Sequence, residues 1–150
     1  MKWTGMLSAL VLSAGLLGLG ACAHGPAAML SKKSPSEERL AREIGIELVS
    51  LRTTAGGHML DLRFRVVNPE QASKLLRAAS DIPMYLVEPA SGQVAEIPHT
   101  MLGLLRTKAT RTRPERIYYS LFKNPDMVFE PGDPVELHFG EVVVDGWKVN

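Results

Sequence analysis

One cysteine, a scatter of histidines and methionines, and a run of five cations are the residues of this chain whose types and spacing could do chemistry. Cys22 is the only cysteine in 150 residues, so no disulfide can form within the chain. His58-Met59, Met84 and His99-Thr100-Met101 supply imidazoles and thioethers, ligands that suit Cu(I). Methionine is more often core filler than ligand, and Met84 sits where a strand would turn it inward. Arg106, Lys108, Arg111, Arg113 and Arg116 stand against Glu115 alone and are interleaved with Thr107, Thr110 and Thr112. Such a stretch could bind lipid phosphates, an anionic glycan or an acidic partner face, each cation near an anionic surface contributing about 1 kcal/mol. It could equally be a loop or edge strand kept soluble by its charge. The lack of an interleaved aromatic argues against single-stranded nucleic acid.

Enzyme chemistry finds little to use. There is no Gly-x-Ser-x-Gly elbow and no His-Glu-x-x-His pair. Glu141 and Asp145 are expected in one strand, two pleats apart on the same face, where a lone acidic pair is ordinarily solvated surface. The expectation is therefore a non-catalytic protein without a cofactor, with copper held by His58, Met59, His99 and Met101 as the alternative.

Cys22 is delivered by a segment with its own logic. Lys2 gives a positive start, Met6 to Leu19 form an apolar stretch thinned by Gly and Ser, and Gly20-Ala21 are small. This is the layout of a secretory signal. The run from Trp3 to Ala23 carries no charge and approaches the length of a membrane span, but its four glycines argue against an uncleaved anchor. Leu19-Gly20-Ala21-Cys22 resembles the lipobox of bacterial lipoproteins. The resemblance implies that Cys22 is acylated and becomes the mature N-terminus, and Ala23 in place of an aspartate implies the outer membrane, facing the periplasm. Several acyl chains, at about 0.8 kcal/mol per buried methylene, anchor a protein without any membrane-binding surface on its domain.

Removal of residues 1–21 leaves 150 − 21 = 129 residues, enough for one domain. It also removes Lys2, so 17 basic residues become 16 against 16 acidic ones. A formally neutral mature chain gives no global argument for nucleic acid or for an acidic substrate. The expected organisation is a signal peptide over 1–21, a flexible linker over 22–33 and one folded domain over 34–150.

Within that domain the patterning is mostly of period two. Ser34-Pro35-Ser36-Glu37 starts a short helix with an N-cap, a proline in the first turn and a capping-box glutamate. Ile46 to Thr54 is a strand whose apolar phase shifts midway, as a β-bulge would permit. Leu60, Leu62, Phe64 and Val66 alternate against Asp61, Arg63 and Arg65, so one face is core and the other wet. Asn68-Pro69 stops that strand, and Glu70 to Ala79 has helical spacing. Met84–Glu88 and Gln93–Ile97 form a hairpin across a Pro-Ala-Ser-Gly turn. Met101–Leu105 fits either a short strand or a buried crossing. Ile117–Phe122, Val135–Phe139 and Glu141–Val149 complete about seven strands with one or two short helices. The expected fold is mainly β, an immunoglobulin-like Greek-key β-sandwich.

Two further resemblances bear on function. Val66-Val67-Asn68-Pro69, with Met84-Tyr85-Leu86-Val87 and Val94-Ala95, is similar to the water-stress and hypersensitive-response (WHy) sandwich domains over residues 44–98, with Glu70–Ser80 as an insertion. That likeness implies a binding or protective role and no catalytic residues; the expected partner besides the membrane is a protein or envelope component. The order His58-Met59, Met84, His99-x-Met101 resembles the ligand order of periplasmic copper chaperones, although the gaps of 26 and 15 residues depart from that family.

Overall fold

The computed structural model describes residues 33–150. Its element order is α1 (Pro35–Glu43), β1 (Ile46–Thr54), β2 (Met59–Val66), α2 (Pro69–Leu76), β3 (Met84–Val87), β4 (Val94–Glu96), β5 (His99–Thr100), β6 (Gly103–Leu104), β7 (Ile117–Lys123), β8 (Pro134–Phe139) and β9 (Val142–Lys148). Seven strands form two antiparallel sheets, ordered β1-β2-β7 and β4-β3-β8-β9, and β5-β6 is a separate two-stranded hairpin. The chain changes sheet between β2 and β3, again between β4 and β7, and again between β7 and β8. That makes an immunoglobulin-like Greek-key sandwich.

The local rules read from the sequence operate at several junctions. The Glu37 N–H donates to Ser34 Oγ at 3.2 Å and the Ser34 N–H to Glu37 Oε2 at 2.8 Å, closing the capping box of α1. The β1-β2 register slips between Leu48 and Ser50, which places the bulge at Val49 and leaves Val49 exposed while Leu51 is buried. Gly45, at φ +80°, joins α1 to β1 and accepts at its carbonyl from the N–H groups of Val67 and Asn68. A Cβ there would lie 2.5 Å from the Asn68 carbonyl oxygen, so only glycine fits.

The core lies between the sheets. Leu60, Leu62, Phe64 and Phe122 on one side meet Leu86, Leu137, Phe139 and Val144 on the other, all without exposed surface. Two segments depart from expectation wholly or in part. The helix α2 begins at Pro69, capped by the Asn68 side chain, which accepts from the Glu70 and Gln71 N–H groups, and it ends at Leu76. Of the two alternatives for Met101–Leu105 the short strand holds in part, as β6, and the buried crossing does not: Met101 and Leu102 form the exposed tip of the β5-β6 hairpin. Asn124, buried just after β7, donates from Nδ2 to the carbonyls of Gly57 and Phe129 and accepts at Oδ1 from the Phe129 N–H. It thereby ties the β1-β2 turn to the β7-β8 connection.

Candidate functional site

The basic stretch folds into a loop that returns to the body of the domain at nearly every other residue. Thr107 pairs with Tyr119 by two hydrogen bonds, its N–H donating at 2.9 Å and its Oγ1 accepting at 3.1 Å. The Ala109 N–H donates to the Leu76 carbonyl at the end of α2, and the Glu115 N–H to the Val66 carbonyl. Between them the Arg113 N–H donates to the hydroxyl of Tyr118 at 3.1 Å. The backbone that carries these exposed side chains is thereby fixed to the domain.

Those attachments shape a recess of about 300 Å³ whose lining includes Lys108, Arg111, Arg113 and Arg116 and no carboxylate. Tyr118 is its floor: the ring is buried, stacks on Phe64 with centroids 6.3 Å apart, and carries the Arg116 guanidinium 5.6 Å above its centroid. Glu115, the sole acid of the stretch, adopts φ +59° and directs its carboxylate to Arg65 at 3.8 Å, away from the recess. Four cations thus share one concavity with two threonines, Thr107 and Thr110, and a tyrosine. An anion seated among them would relieve their mutual repulsion.

Arg106, the fifth cation, goes elsewhere. It pairs with Ser120 in a β-bridge on the free edge of β7, and this alternation turns its side chain inward, where it is 8% exposed. It lines a separate cleft between the sheets. Burial pushes its guanidinium below the ordinary arginine value.

The other predicted site residues are dispersed. Cys22 lies outside the described residues. His58 and Met59 sit beside the β1-β2 turn, at the start of β2 on one flank of β7. His99 is exposed in the hairpin on the other flank, so β7 and β6 lie between the two histidines. Met101 is fully exposed at the hairpin tip, and Met84 is buried in β3 of the opposite sheet. Among the described residues no group of three or more His, Cys, Asp or Glu side chains is placed to hold a metal ion. Glu141 is in the β8-β9 turn and not in a strand, while Asp145 is exposed in β9, so the expected acidic pair on one strand face does not form.

Two contributors escaped sequence reading. Tyr118 and Ser120 follow the inward phase of β7, and an inward serine in an otherwise apolar phase was the one available sign of a polar neighbour across the ladder. No family model matches this chain, and neither a curated protein nor a solved structure matches it.

Proposed function

We propose that the protein is a lipid-anchored, non-catalytic binding module of the bacterial cell envelope. Acyl chains on Cys22 hold it to the outer membrane, residues 22–33 space the domain from the surface, and the sandwich presents the recess of Lys108, Arg111, Arg113 and Arg116 to an anionic group of an envelope component or partner protein. The observation that carries this reading is the recess itself, with four cations around one concavity of about 300 Å³ and no carboxylate in its lining. A basic stretch that served solubility alone would have no need of a loop pinned at Thr107, Ala109, Arg113 and Glu115. The lipobox and WHy-type resemblances point the same way, toward anchoring and binding.

Binding of this kind is electrostatic and so weakens with salt. The full chain, incubated with washed envelope fractions and sedimented, is expected to bind at low ionic strength and to be released as salt is raised. A variant carrying Lys108→Glu, Arg111→Glu and Arg113→Glu should fail to bind while keeping the thermal stability of the parent. Salt-independent binding, or binding unchanged in that variant, would remove the recess from the function.

A further inference from the structure

Arg106 stands in a cleft of about 280 Å³ at the mouth between the two sheets, walled by Ile82, Tyr85, Ile97 and Leu104 with Glu96 at the rim. Arg106 as a residue is nine-tenths removed from water, and a guanidinium whose Nε is buried costs free energy unless an anion or hydrogen-bond acceptor faces it. Among the described residues its side chain makes no hydrogen bond and no ion pair. No carboxylate lies within ion-pair distance of it. Its Nε is buried without a hydrogen bond, and the hydroxyl of Ser120, its partner in the β-bridge, is likewise buried and unpaired. Stability alone does not explain this residue, because an aliphatic side chain would fill the same inward position between Leu105 and Thr107 without stranding a charge.

We propose that this cleft is a binding site for a small ligand bearing a carboxylate beside an aliphatic group, in the class of free amino acids and dipeptides. The planar fork of arginine matches the two oxygens of a carboxylate, and that pairing strengthens where water is excluded. Ile82, Ile97 and Leu104 offer an apolar wall for the side chain, and the carboxylate of Glu96 at the rim suits an ammonium group. The volume is at the small end of ligand sites and admits one or two residues, not a long chain. Charge selects against phosphate: a dianion would meet a single cation in a cleft that Glu96 and Asp81 also line. The site is independent of the basic recess, which shares none of its lining residues.

The test is NMR on the full chain in nonionic detergent micelles, following the Nε–H signal of Arg106. A buried Nε–H exchanges slowly enough to be observed, and the signal is assigned by its loss in Arg106→Gln. The probes are L-leucine, N-acetyl-L-leucine, L-leucinamide and inorganic phosphate. L-Leucine and N-acetyl-L-leucine should both shift the signal saturably, whereas L-leucinamide, which lacks the carboxylate, should bind about tenfold or more weakly. Glu96→Gln should weaken L-leucine and leave N-acetyl-L-leucine unchanged. Equal binding of L-leucine and L-leucinamide would overturn the proposal, as would phosphate binding as tight as L-leucine or the absence of any saturable shift. Equal weakening of both leucine probes in Glu96→Gln would overturn the role given to Glu96. If Arg106→Gln does not fold, the ligand series on the parent chain still decides, through the saturable signal in that spectral region.

Discussion

Leu62 and Phe64 have no exposed surface, while the Arg63 side chain between them is 48% exposed and reaches back to Asp61 at 3.0 Å. Truncating the first kind of residue opens a cavity, and truncating the second removes one half-exposed partner of Asp61, which Arg52 still pairs. Phe64→Ala is therefore expected to cost about 3–5 kcal/mol in a denaturant melt and Arg63→Ala under about 1 kcal/mol. Comparable losses would contradict the placement of the two faces. These faces were legible because alternation of period two is a local signal. Asp61 was not: expected on the wet face, it is buried because Arg52, its cross-strand partner, and Arg63 both fold over it. That arrangement depends on the register between strands, which no single segment carries. Arg106 escaped for the same reason, since pairing with β7 and not any feature of residues 103–107 turns it inward.

At the level of elements, caps and turns were readable and short irregular pieces were not. The start of α1, the phase shift in β1 and the strand stop at Asn68-Pro69 all rest on residues within a few positions of one another. Met101–Leu105 was open between a short strand and a buried crossing, because its apolar composition fits both; it holds the short strand β6 behind an exposed tip that Thr100 Oγ1 and Gly103, at φ +97°, close. The α1-β1 junction yields a sharper expectation. Gly45 combines a left-handed conformation with an approach of 2.5 Å between any added Cβ and the Asn68 carbonyl. Gly45→Ala must then strain the backbone and displace the start of α2, costing about 2 kcal/mol or more. A thermal melt indistinguishable from the parent would mean that this junction is looser than described. The loop at 107–116 carries the proposed anion site, and its shape comes from α2, β2 and β7 rather than from its own sequence. The residue set of the candidate anion site was thus visible in advance, while its concavity and the departure of Arg106 were not.

For the molecule as a whole, the account divides labour between the N-terminal anchor and the sandwich. Cys22→Ser should abolish metabolic labelling with palmitate and release the protein from the membrane fraction together; a serine variant that stays membrane-bound would favour an uncleaved apolar anchor. The anchored protein should fractionate with outer membranes, and recovery with inner membranes would contradict the reading of Ala23. The central claim, that the recess is the face that meets a partner, is tested most directly in living cells. A photocrosslinking amino acid placed at Thr110, in the recess, is compared with one at the exposed Glu38 of α1. The account predicts a discrete crosslinked species from position 110, none from position 38, and loss of that species when Lys108→Glu, Arg111→Glu and Arg113→Glu are introduced together. Crosslinks that are equal at the two positions, or that persist after the charges are reversed, would contradict it.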